Sequence, residues 1–272
     1  MNVHITGASS GLGEELAYEY ARRGAKVALF ARRRERLEHV ARGCLAQGAK
    51  EAIVLVGDTT SRTDIAAATK ELDERWGRID RAYLNAGGGR MPDPNDPILE
   101  DKLFQCCAGD ESTVTAFSAE SAEWIMRLNY LGVVYWLEPL LERMRKQRSG
   151  TIAVTGSLSA DGNLLRSGPY TATKVAVRAL LEGLRFDALK FNVRLCLIES
   201  GWFVSELTDP HANVPFLLPT KEAAAQAIRG VEAGKRVVRF PWQMSILSRM
   251  GASLPRGLRE RIIDRYLPPI GP

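Results

Sequence analysis

Short apolar runs alternate along this chain with longer segments of helical spacing, and that alternation restricts the fold more than any other feature. Runs near 2–6, 26–30, 51–56, 80–84, 150–155, 192–198 and 236–240 read as strands. Segments near 12–23, 33–47, 61–76, 120–147, 170–190 and 220–233 read as helices, the first with Leu12, Leu16, Ala17 and Tyr20 on one stripe. A strand that returns through a helical crossover pairs parallel with its predecessor, and a parallel sheet needs cover on both faces. The expectation is an α/β fold, a doubly wound parallel sheet of about seven strands with helices on both faces. No repeat of fixed period and no low-complexity linker interrupts the 272 residues, which predicts a single domain with a large core.

The first crossover carries chemistry. Residues 2–6 lead into TGASSGLG, with glycines at 7, 11 and 13, and a helix follows. Glycine permits a tight turn and close approach, and a helix start offers unpaired N–H groups, so strand, turn and helix together make a phosphate site. The spacing is GxxxGxG rather than GxGxxG. A second cluster lies in TGSLSADGNLLRSGPYTATK. Tyr170 and Lys174 are four apart on a predicted helix and share a face. An ammonium beside a phenol favours the phenolate, so Lys174 is expected to lower the Tyr170 pKa towards neutrality. Ser157 follows the apolar run 151–155 and falls at a strand end, where sites of open α/β sheets gather.

With these pieces in one order, the chain resembles the short-chain dehydrogenase/reductase family from Met1 to about Phe240. Its TGxxxGxG motif matches Thr6 to Gly13. The resemblance implies a Rossmann fold and cofactor contacts from Gly7, Ser9, Ser10, Gly11, Leu12 and Gly13. It matches Asp58 to the residue that bonds the adenine ring, and Asn85, Ala86 and Gly87 to a motif beside the cofactor. It matches Asn129, Ser157, Tyr170 and Lys174 to the catalytic set. In the implied mechanism Tyr170 is the general acid in carbonyl reduction and the base in alcohol oxidation. Ser157 donates to the substrate oxygen, with Ser159 its less favoured rival. Lys174 holds the nicotinamide ribose, and Asn129 fixes a water that links Lys174 to solvent. Gly201, Phe203 and Ser205 are placed at the nicotinamide, Ser205 standing in for a threonine near the carboxamide.

The end of the second strand reads KVALFARRRERL, where an NAD binder of this architecture usually carries an acidic residue for the ribose hydroxyls. Here stand Arg32, Arg33 and Arg34, and a guanidinium holds a phosphate bidentately. The predicted cofactor is therefore NADP (NADPH), with Arg32 the main contact and Arg33 its helper. Three departures from the family pattern follow. Ser200 replaces a proline in ESGWFVSEL, which predicts a looser loop. The 44 residues from Asn85 to Asn129 contain an insertion near 88–118, read as surface elaboration ahead of a lid. The stretch 241–272 mixes Trp242, Met244, Ile246, Leu247 and Met250 with Arg249, Arg256, Arg259, Arg261 and Arg265. It reads as a cap or subunit contact packed on the 1–240 catalytic domain, ahead of a membrane-facing surface.

Four cysteines (44, 106, 107, 196) lack metal or disulfide spacing, and the three histidines (4, 39, 211) are scattered, so no metal is expected. No run of about 18 apolar residues and no secretory leader is visible, which predicts a cytoplasmic protein. The formal charge of +5 suits an anionic cofactor and needs no nucleic acid. Apolar Leu164, Leu165, Trp202, Phe203, Phe216, Leu217 and Leu218 favour a hydrophobic substrate, a ketone or 3-oxoacyl thioester. The family implies a homo-dimer or homo-tetramer through helices near 120–147 and 170–190. The alternative function is a non-catalytic NADP(H)-binding sensor or scaffold, for which the phosphate turn and Arg32 suffice. The Asn, Ser, Tyr and Lys set favours the enzyme.

Overall fold

The computed structural model describes residues 1–89, 118–162, 168–206, 208, 214–255, 257, 258 and 261. The insertion, Leu164, Leu165, Cys106, Cys107, His211, Arg256, Arg259 and Arg265 therefore lie outside the described residues, the insertion except for its end residues. Seven strands form one sheet: β1 (Asn2–Thr6), β2 (Lys26–Ala31), β3 (Glu51–Val56), β4 (Arg81–Leu84), β5 (Gly150–Thr155), β6 (Val193–Ser200) and β7 (Val237–Phe240). Their order is β3-β2-β1-β4-β5-β6-β7 and every pairing is parallel. Val3 pairs with both Val27 and Arg81, so β1 lies between β2 and β4. The chain winds outward through β2 and β3, then crosses back to β4. This reversal opens a crevice beyond the carboxyl ends of β1 and β4.

Helices cover both faces, as parallel strands without a solvated side require. On one face α1 (Gly11–Arg22), α2 (Arg34–Ala46) and α7 (Thr220–Glu232) pack Leu16, Leu37, Val40 and Ile228 against the sheet. On the other, α3 (Arg62–Trp76), α5 (Gly132–Gln147) and α6 (Gly168–Leu189) bury Ile65, Leu72, Trp136, Leu140, Val177 and Leu181. The stripe anticipated for α1 is buried, Leu12, Leu16, Ala17 and Tyr20 included.

Three elements differ from the sequence reading. The helix expected over 120–147 is broken into α4 (Ala119–Met126), a π-turn at Arg127–Leu131, and α5. A π-turn inserts an extra residue and re-aims side chains, often at functional positions, and this one contains Asn129. Strand β6 continues through Ser200, which pairs with Phe240, and the Gly201 N–H donates to the Phe240 carbonyl at 2.7 Å. The segment expected to loosen at Ser200 is thus tied into the sheet. The third is a helix the apolar periodicity did not reveal, α8 (Trp242–Ser253).

Candidate active site

Strand ends β1, β4 and β5 meet through one hydroxyl and one amide. Thr6 Oγ1 accepts the backbone N–H groups of Asn85 (3.0 Å) and Ala86 (3.1 Å). The Asn85 side chain donates to the Gly7 carbonyl at 3.5 Å and accepts from Thr155 Oγ1 at 3.0 Å. This clamp brings the turn so close that two glycines have no substitute. Gly7 has φ +64°, and a Cβ there would lie 2.8 Å from Ala86 Cα. A Cβ on Gly13 would overlap the Gly7 carbonyl oxygen. Ser10 stands at the N-cap of α1, yet its side chain does not cap the helix. The first amides of α1 are therefore left without a side-chain cap from Ser10.

Of the expected ribose readers, Arg32 and Arg33 are both exposed, and Arg33 reaches over this turn. Arg33 donates to Ser9 Oγ (3.3 Å from Nε, 3.1 Å from Nη2) and to Ser10 Oγ (2.8 Å from Nη2). It also grips the Glu206 carboxylate through both Nη atoms, at 3.1 and 2.7 Å. Arg33 is the N-cap residue of α2, and its side chain crosses to the serines. Asp58, after β3, uses Oδ1 to accept from the Thr60 N–H (2.7 Å) and hydroxyl (2.8 Å). Leu12 is buried, with Gly13 behind the turn. Donors and contours of this turn fit a dinucleotide: uncapped helix amides, two serine hydroxyls, arginines, and a cradle that already holds one carboxylate.

Ser157 caps a short 3₁₀ turn, Leu158–Asp161, after β5, and accepts the Ser159 N–H at 3.1 Å. Its hydroxyl also hydrogen-bonds Tyr170. That partnership favours Ser157 over Ser159 as the residue beside the phenol. Lys174, one turn along α6, is buried, with Nζ 5.5 Å from the Tyr170 ring centroid and donating to the Thr155 carbonyl at 3.1 Å. Thr173 donates to the Tyr170 carbonyl (2.7 Å) and accepts from Asn129 Nδ2 (3.2 Å). Asn129 also pairs with Gly88 in both directions, 2.9 Å each. Asn129, Tyr170 and Lys174 are thereby joined to the 85–88 loop through backbone and hydroxyl contacts.

The electrostatics differ from the expectation. Burial pushes the Tyr170 phenol above the usual tyrosine value, and the bond to Ser157 offsets only part of the rise. Burial also lowers the Lys174 ammonium to about 8. Desolvation of both groups outweighs their mutual influence, so the phenol holds its proton at neutral pH.

Gly201, Phe203 and Ser205 lie on the segment after β6. Phe203 bridges to Leu218 and is packed against the core. Ser205 covers the glycine turn, its Cβ 3.5 Å from where a Cβ on Gly11 would be. Phe216, expected in a substrate wall, is 47% exposed.

Sequence reasoning missed a charge network beside the Ser157 turn. Arg239 donates to the Glu199 carboxylate at 2.6 Å and bonds Asp161; Arg178 donates to the same Glu199 (2.6 Å) and Asp161 (2.8 Å) carboxylates. Ser248 of α8 donates to Asp161 Oδ2 (2.7 Å) and to the Leu158 carbonyl (3.2 Å). Burial would raise the Asp161 carboxyl, but Arg239, Ser248 and Arg178 hold it at about 2. Among the described residues no His, Cys, Asp or Glu group is arranged to hold a metal, and no helix is long and apolar enough to cross a membrane.

The family model described as short chain dehydrogenase matches residues 1–213. A relative of Arabidopsis thaliana, 11-beta-hydroxysteroid dehydrogenase-like 3, is 30% identical over 90% of this chain and 74% of its own. An uncharacterized oxidoreductase of Myxococcus xanthus is 29% identical over 96% of this chain and 95% of its own. Among solved structures, an alcohol dehydrogenase of Thermococcus sibiricus complexed with 5-hydroxy-NADP superposes with TM-score 0.71 at 25% identity, over 88% of this chain and 95% of that one. A short-chain dehydrogenase of Sphingobium yanoikuyae gives TM-score 0.74 at 23% identity, over 94% and 96%. The chain belongs to the short-chain dehydrogenase family and is an NAD(P)-dependent oxidoreductase of alcohol and carbonyl groups.

Proposed function

We propose that this enzyme is an NADP(H)-dependent reductase of a fairly hydrophobic ketone or 3-oxoacyl substrate, or in reverse a dehydrogenase of the matching alcohol. One observation carries the reading: the Tyr170 phenol is hydrogen-bonded by Ser157, with the buried ammonium of Lys174 near its ring. A carbonyl that is being reduced develops negative charge on oxygen and needs a donor at that moment. Tyr170, kept protonated by burial, gives its proton to that oxygen. Ser157 donates a hydrogen bond to the same oxygen and orients it. Lys174 holds the ribose hydroxyls, and Asn129, fixed by Gly88 and Thr173, holds α6 and the 85–88 loop in register. A bound nicotinamide supplies the hydride.

Gly7 to Gly13, Asp58 and the 85–87 loop take the dinucleotide, and Gly201, Phe203 and Ser205 close on its nicotinamide end. The 2′-phosphate preference rests on Arg32 and Arg33 and is supported by the NADP derivative bound to the Thermococcus sibiricus relative. Apolar Trp202 and Phe203 and the hydroxysteroid dehydrogenase-like relatives support a greasy hydroxyl or carbonyl substrate. The catalytic unit is 1–240, with α8 packed on it through the Ser248 contacts.

The test is Tyr170→Phe. Turnover of an apolar ketone with NADPH falls by about 10²–10⁴-fold while NADPH binding persists. Undiminished turnover removes Tyr170 from the role. In parallel, a fluorescence titration in which NADH binds more tightly than NADPH ends the NADP assignment.

A further inference from the structure

The carboxylate of Glu206 occupies the anion cradle of the glycine turn. Its Oε2 accepts from Ser10 Oγ at 2.8 Å and from Arg33 Nη2 at 2.7 Å, and its Oε1 accepts from Arg33 Nη1 at 3.1 Å. Arg36 Nη1 stands 3.7 Å from Oε1. The contact joins distant parts of the chain: Glu206 follows β6, Ser10 begins α1, and Arg33 and Arg36 begin α2. It is bidentate, the geometry in which arginine takes a carboxylate or a phosphate. Burial would raise the Glu206 carboxyl, but the bonds from Arg33 and Ser10 hold it below the ordinary glutamate range, so it is an anion at neutral pH.

We infer that Glu206 is a selectivity residue: an internal anion that competes with the 2′-phosphate of NADP(H) for Arg33 and Ser10. The inference rests on the NADP reading above. One guanidinium fork cannot serve two anions in full, and two anions brought to one cradle repel. NADPH must therefore share or displace the Glu206 contact, whereas NADH, with hydroxyls in place of the phosphate, leaves it in place. Three arginines at the end of β2 then give a weaker preference for NADPH than their number suggests. The sequence contains the reason only as a lone glutamate 173 residues from Arg33.

The experiment measures dissociation constants of NADPH and NADH for the wild type, Glu206→Gln and Glu206→Ala, each checked for a native melting transition. Expected is a gain in NADPH affinity of about 2- to 5-fold in both variants, the size of a half-exposed ion pair, with NADH little changed. In an Arg33→Ala background the gain disappears, because the contested donor is gone. An unchanged NADPH-to-NADH ratio overturns the inference. A loss of NADPH affinity also overturns it, since Glu206 would then be presenting Arg33 to the phosphate. If the wild type binds NADPH and the variants match it, only this inference fails. If neither the wild type nor the variants bind either nucleotide, the cofactor reading fails with it.

Discussion

The glycine turn after β1 and the Ser157 turn after β5 cap the same edge of one sheet, but they are held in different ways. The first is held by close backbone approach, with Gly13 pressed on the Gly7 carbonyl and Thr6 gathering two amides. The second is held by buried charge, with Glu199 only 1% exposed and Asp161 placed between two arginines and a serine. A backbone-built site needs specific residues at adjacent positions. A charge-built site needs only that its members converge in space, wherever they lie in the chain. Substitutions should therefore damage the two turns by different routes.

The largest effect is expected at the charge-built turn. Glu199→Ala leaves Arg178 and Arg239 to share Asp161 alone, and breaking a buried ion pair on one side costs about 3–5 kcal/mol. Urea unfolding measures it. A cost below about 1 kcal/mol would mean that the network is decorative and the Ser157 turn is held by packing.

Next comes Gly13→Ala. A single methyl meets a backbone oxygen that cannot swing aside, so about 1–3 kcal/mol of stability is lost, and saturable NADPH binding goes with it. Unchanged binding would show that the turn has room and that the contrast between the two regions is false.

This contrast also explains what was legible in the sequence. Gly7, Gly11, Gly13, Asn85, Ser157, Tyr170 and Lys174 stand in short motifs, since each acts through local backbone geometry or one helical turn. The seven strands were legible because parallel strands are continuous apolar runs. Asp161, Arg178, Glu199 and Arg239 were not, because each lies in an unremarkable context and only the folding of β5, α6, β6 and β7 brings them together. The same limit hid Glu206. Sequence spacing reports the Lys174 neighbour of Tyr170 but not the desolvation that pushes the phenol up and the ammonium down.

pH should separate the centre from the network. Asp161 is held at about 2 against 3.8 in the unfolded chain, so its contribution is complete above about pH 4 and is lost as pH falls through 2. Lys174 is the opposite case: its folded value near 8 lies below 10.5, so burying its charge costs stability up to pH 8. That cost is relieved as pH rises towards 10.5. Melting temperatures across both ranges are the measurement. Asp161→Asn should flatten the acid limb and Lys174→Met the alkaline rise, and a variant that leaves its own limb unchanged assigns that limb to other groups.

The smallest effects are expected on α8, where the two faces invert the usual rule. Ser245 and Ser248 face inward and are buried, whereas Trp242 is 67% exposed and Met250 63%. Apolar periodicity could not reveal this helix because its buried positions are serines, whereas Trp242, Ile246, Leu247 and Met250 are exposed. Ser248→Ala removes a hydroxyl that donates to Asp161 and the Leu158 carbonyl, but Asp161 keeps both arginines. The expected cost is about 1 kcal/mol. Trp242→Ser removes a far larger side chain from the outer face and should stay within about 0.5 kcal/mol. The pair is compared by urea midpoint in one buffer. If the tryptophan costs more than the serine, the outer face of α8 is covered by something in solution, and α8 is then held from outside as well as by the network beneath it.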